Sequence, residues 1–118
     1  MAIEQKPIKK ELIFELSIYA LFLLLVATLW NKPIILMTCF ALMSLIILLI
    51  WNTKKDLLFY FVAFFLGSIA ESISVYFGAW KYSKTFYLIP LWLPFAWGIA
   101  GLLVKHISET LSEIGSKQ

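Results

Sequence analysis

Apolar positions along this chain come in long runs, with none of the alternation that marks a half-buried strand. From 12 to 30 the only charge is Glu15, and from 34 to 51 there is none. From 57 to 80 the only charge is Glu71, and from 85 to 104 there is again none, although Pro90 and Pro94 interrupt the run. A helix of roughly 20 apolar residues, rising about 1.5 Å per residue, crosses the hydrocarbon core of a bilayer, and each run has about that length. The polar punctuation is short: Asn31-Lys32-Pro33, then 52–56, then 81–84. Such connections place consecutive helices antiparallel and in contact. The expectation is an all-α, polytopic membrane protein, a four-helix transmembrane bundle forming one domain over 1–118 with spans at 12–30, 34–51, 57–80 and 85–104.

Composition agrees, since 62% hydrophobic and 14% charged residues lie far from the balance of a soluble domain. The net charge of +3 does not indicate nucleic acid, because every basic residue is Lys and the lysines are scattered between apolar runs. Without Arg there is no bidentate clamp for phosphate or carboxylate. Cys39 is the single cysteine and lies in an apolar run, so neither a disulfide within the chain nor a metal site is expected, and no cofactor motif is present.

Short cytoplasmic loops collect lysines, which sets the orientation. Lys6, Lys9, Lys10, Lys54, Lys55, Lys105 and Lys117 fall on the side of the N-terminus, against Lys32, Lys81 and Lys84 opposite, so both termini are expected inside (N-in/C-in). The expected location is the cytoplasmic membrane of a prokaryote. Trp30, Trp51 and Trp80 each close a run, where an indole keeps its ring in the interface and its N–H in water. The first run ends in Thr28-Leu29-Trp30, without a small-residue cleavage site, so it reads as a span and not as a signal peptide.

The third run holds the candidate chemistry. A carboxylate facing lipid costs about 2.5 to 3.5 kcal/mol on insertion scales, so Glu71 is expected to face protein. Tyr60, Ala63, Gly67, Glu71, Ser74 and Gly78 recur at spacings of three and four, drawing a small or polar stripe down a helix otherwise rich in Phe, Ile and Val. Small residues let a second helix approach closely, so the stripe is the expected contact face, with Gly67 and Gly78 matched by Gly98 and Gly101 on the fourth helix. Glu71 would lie nine residues, about 13 Å, below Trp80, level with Trp97. Pro94 cannot donate to the carbonyl of Pro90, which predicts a kinked fourth helix and a cavity in the outer half of the bundle. Its expected lining is Glu71, Ser74, Trp97 and Ser68, with Tyr76 and Tyr82 nearer the mouth.

Other residues read as structural. Glu15 lies about one turn from Glu11 and reads as interfacial, within reach of water. His106 follows Lys105 at the inner end of the last span, where cations suit the helix dipole and lipid phosphates. Ile107, Leu111 and Ile114 keep helical spacing, continuing the fourth helix into water.

The order Glu71, then Gly78-Ala79-Trp80-Lys81-Tyr82, then Ile89-Pro90-Leu91-Trp92-Leu93-Pro94-Phe95-Ala96-Trp97-Gly98, resembles membrane carotenoid-modifying proteins of the lycopene cyclase and bisanhydrobacterioruberin hydratase type. The resemblance covers 71–98, and where those families carry paired acids after the proline this chain has Leu91-Trp92. It implies Glu71 as an acid that protonates an isoprenoid alkene, with Trp80, Tyr82 and Trp97 as aromatic walls. From the residues themselves the first expectation is a lipid-binding or interaction subunit, with Ser74, Trp80, Tyr82 and Trp97 around Glu71, whose partners are membrane lipids, a larger membrane protein or a second copy. A small proton-coupled transporter is the further alternative, since four-helix multidrug transporters also use one membrane carboxylate. Theirs lies in the first helix, where Glu15 lacks the surrounding motif.

Overall fold

A computed structural model describes residues 8–82, 85 and 88–116, so Lys6, Lys84 and Lys117 of the lysine pattern lie outside the described residues. The regular structure of the described residues is all helical: α1 (Ile8–Leu29), α2 (Pro33–Ile50), α3 (Lys54–Tyr76) and α4 (Leu93–Ser116). Three of them, from Lys9, Pro33 and Lys54 onward, are long and apolar enough to cross a membrane, whereas α4 is less apolar and falls outside that group. The outward surfaces of the three apolar helices are themselves apolar: Leu24, Leu49 and Leu66 are 59%, 70% and 61% exposed. In water such surfaces would associate, whereas acyl chains solvate them at no cost.

Local sequence explains each boundary. Pro33 sits in the first turn of α2, where its missing N–H costs nothing. Thr53 caps α3 reciprocally: its hydroxyl accepts from the Asp56 N–H at 3.1 Å, while the Asp56 carboxylate accepts from the Thr53 N–H at 3.4 Å. α3 ends at Tyr76, earlier than the run to Trp80 predicts, because Gly78 takes φ 84 and folds the chain back. The Gly78 N–H then bonds to the Val75 carbonyl at 3.0 Å and the Ala79 N–H to the Ser74 carbonyl at 2.9 Å, the paired pattern of a Schellman stop.

The fourth helix departs most from expectation. It occupies Leu93–Ser116, not 85–104, and the prolines do not kink it. Pro94 is its second residue, and the Pro90 carbonyl accepts from the Leu93 N–H at 3.2 Å in the turn that precedes it. The proline therefore starts this helix. The residues just ahead of it already lie within the bundle: Trp92 is buried and meets Phe40 edge-on at 6.2 Å. Phe40 lies seven residues, about 10 Å, inside α2.

The helices alternate in direction, and α4 packs against each of the other three. Leu36, Phe40 and Ile47 of α2 and Ala96, Ile99 and Leu102 of α4 dominate the core, each set at helical spacing. The α3–α4 seam is close: a Cβ on Gly67 would overlap the Trp97 ring, one on Gly98 the Tyr60 ring, and one on Gly101 the Ala63 side chain. Across to α2, the Tyr60 hydroxyl donates to Ser44 at 2.7 Å.

Candidate functional site

Glu71 lies on α3 five residues before the helix ends, so it is about 7.5 Å below that end and shallower than the sequence suggests. It is half-buried, and its described partners come from the returning segment after its own helix. The Trp80 indole N–H donates to Glu71 Oε2 at 2.8 Å, and the Tyr82 hydroxyl donates to the same oxygen at 2.7 Å. Both bonds depend on Gly78, since the reversal there brings Trp80 and Tyr82 beside the helix that precedes them.

Glu71 also lines an apolar groove of about 580 Å³ on the flank of the bundle. Phe22, Leu23, Val26 and Ala27 of α1 form one wall, and Trp92, Leu93, Ala96, Trp97 and Ala100 form the floor and the other wall. An aromatic chain backs the head of the groove, with Tyr82 edge-on to Trp92 at 6.4 Å, Trp92 edge-on to Phe40, and Phe40 stacked on Phe22 at 5.0 Å. Trp92 Nε1 is buried with no hydrogen-bond partner among the described residues. A second groove of about 360 Å³ shares Phe22 and Ala100 with the first and continues it past Tyr19 and Leu103 to Ser108.

The residues singled out by sequence divide into two groups. Glu71 and Trp97 line the same groove, with Trp97 against Gly67, one turn deeper than Glu71, and Trp80 and Tyr82 hold the carboxylate. Ser74 and Ser68 do not line it: their hydroxyls donate to the Ala70 and Phe64 carbonyls of their own helix, at 2.9 and 2.6 Å. Gly78 has open space around it and serves as a helix stop, not a packing face, whereas Gly98 and Gly101 lie in the α3–α4 seam. Trp92 and the α1 wall were missed. The signal for Trp92 was the Pro90–Pro94 pair, which brackets a helix start and so an irregular segment at depth, tolerated in a membrane only where protein covers it or it lines a cavity.

A second polar cluster, invisible in the sequence, closes the other end of α3. Asp56 is 1% exposed, and its Oδ1 meets Lys105 Nζ at 2.9 Å and His106 Nε2 at 2.7 Å. Trp51 stacks on the His106 ring at 3.7 Å between centroids, and Phe14 meets Trp51 edge-on. Burial alone would lower the Lys105 ammonium, but the hydrogen bond and charge of Asp56 outweigh it and raise the group above its ordinary value. Glu15 is not at the water boundary as expected: it is 3% exposed, and Thr110 donates to its Oε2 at 2.9 Å. Among the described residues no three His, Cys, Asp or Glu side chains come together to hold a metal.

Comparison with protein-family models, with curated proteins and with solved structures returns no match.

Proposed function

We propose that the chain is an integral membrane protein that binds a lipid-like molecule in the groove between α1 and α4, with Glu71 as its polar anchor. The topology we infer has four crossings with both termini on the cytoplasmic side of a prokaryotic cytoplasmic membrane. α1, α2 and α3 would each cross alone, and α4 would cross together with the segment that dips ahead of it. Lys9, Lys10, Lys54, Lys55 and Lys105 gather at one end of the bundle against Lys32 and Lys81 at the other, which supports this orientation.

The observation that carries the function is the carboxylate of Glu71, held by two aromatic donors, at the head of an apolar groove of about 580 Å³. That volume is typical of small-molecule sites, and so is an apolar lining with a few polar groups converging at one end. Mass spectrometry of lipid extracts from the purified protein tests the reading. A defined apolar species should accompany the wild-type chain and be lost from Ala100→Trp, whose indole would fill the groove. Extracts that match bulk membrane lipid in both proteins would remove the proposal.

A second reading is favoured by one feature, the presence of Trp92 and Trp97 on the same groove as Glu71. Proton transfer from Glu71 to an isoprenoid alkene would leave a carbocation that indole faces can steady. In that case Glu71→Gln retains the bound lipid and stops its conversion, whereas unchanged conversion excludes the enzyme reading.

A further inference from the structure

Deepening the lipid-binding reading on which it rests, we infer that the groove takes a long-chain amine, with its positive head on the Glu71 carboxylate and its chain along α4. Among the described residues that line the groove, only Glu71 carries an ionisable side chain. Trp80 and Tyr82 both donate to its Oε2, and both are uncharged. Among the described residues no hydrogen bond reaches Oε1, and no Lys or His, Lys81 included, forms an ion pair with this carboxyl group. At the other end of the same helix the fold supplies the counter-charge itself, with Lys105 2.9 Å from Asp56. The hydrogen bonding of Glu71 is thus partly met by the described residues, and its charge is not.

A carboxylate beside hydrocarbon is costly unless a charge pairs with it. An ammonium head supplies that charge together with N–H donors for Oε1. A hydroxyl would bring a donor without the charge, and a carboxylate or phosphate would bring a second anion. Trp97 lines the groove one turn below Glu71, against Gly67, and an indole ring attracts a cation within about 6 Å of its centroid. A zwitterionic headgroup suits the groove less well. The amine of phosphatidylethanolamine arrives with a phosphate, and the described lining holds no Lys or His to meet it.

The tail follows from the length of the furrow. Between Leu93 and Ser108 the groove and its continuation follow α4 for fifteen residues, about 22 Å. Leu103, Val104 and Ile107 line the lower part, where no described lining residue is charged. One positive head at Glu71 and an apolar chain below it therefore match the furrow from end to end.

The test is saturable binding of radiolabelled hexadecylamine and, separately, of hexadecanol to the full-length protein in phosphatidylcholine nanodiscs, with empty discs as the baseline. Hexadecylamine should bind about tenfold more tightly, the margin of a hydrogen bond to a charged partner over a neutral one. Glu71→Gln should erase that margin while hexadecanol still binds, which shows that the groove is intact. A margin that survives Glu71→Gln overturns the assignment. Phosphatidylethanolamine added to the discs should leave hexadecylamine binding unchanged; displacement would give the site to that headgroup and overturn the amine. The amine–alcohol comparison in the wild-type chain needs no variant, so it decides the matter even where a variant fails to fold. If amine and alcohol bind equally, yet both are lost in Ala100→Trp, the amine is overturned and the lipid-binding groove stands. Binding that ignores Ala100→Trp overturns both.

Discussion

α3 carries a carboxylate near each end, and the two are treated in opposite ways. Asp56 at the lower end is enclosed and saturated, with Thr53 on one oxygen and Lys105 and His106 on the other. Glu71 at the upper end is half-buried; its described partners are the neutral donors Trp80 and Tyr82, and it shares a wall of an apolar groove. An acid whose hydrogen bonds and charge are met within the fold has no capacity left for a ligand, so Asp56 joins α3 to α4. Among the described residues, Glu71 is held by two uncharged donors that orient its carboxyl group, which is the arrangement a binding residue needs.

The contrast can be broken by substitution, and the largest effect is expected at the enclosed end. Asp56→Ala leaves Lys105, itself largely buried, with the more distant Glu109 at 3.4 Å in place of its closest acid, and should cost about 3 kcal/mol, read as the denaturant midpoint in detergent. Pairing it with Lys105→Met should recover much of that loss; strict additivity would mean the ion pair is incidental. Next comes the seam between the two sites. Gly67→Leu must displace the Trp97 ring, at about 1 to 3 kcal/mol, and should also distort the groove that Trp97 lines. Gly78→Ala should cost about 1 to 2 kcal/mol for its positive φ and should loosen the hold of Trp80 and Tyr82 on Glu71.

The smallest effect on stability, under about 1 kcal/mol, is expected for Glu71→Gln, which keeps an oxygen for both donors. It should instead be visible spectroscopically, as a change in the indole fluorescence of Trp80, whose N–H donates to Glu71 at 2.8 Å. Trp80 fluorescence unchanged in Glu71→Gln would mean that this hydrogen bond is not formed in the membrane.

How far these features could be read in advance varies along the chain. α1 and α2 are legible because their apolar runs coincide with the helices to within a few residues. The facing ends of α3 and α4 are not, because apolar composition continues past Tyr76 and up to Leu93, while the described residues between those two positions are not helical. Local chemistry did mark those ends, Gly78 as a helix stop and Pro94 as a start, but hydropathy alone reads straight across them. Of the upper site, Glu71 and Trp97 are legible from the cost of an intramembrane acid and from helical spacing. The Asp56 cluster is not, since it joins residues 49 and 50 positions apart and each is individually at home at a helix end. Nor does anything local to Glu15 announce Thr110, which lies 95 positions away.

The central claim is that the flank between α1 and α4 holds a selected lipid and is not merely wetted by the bilayer. Photocrosslinking in native membranes, from a photoreactive amino acid at Ala100 in the groove and, separately, at Leu49 on the exposed surface of α2, tests it most directly. The prediction is one dominant adduct from Ala100, diminished in Glu71→Leu, against a mixture of bulk phospholipids from Leu49. The same phospholipid mixture from both positions would contradict it.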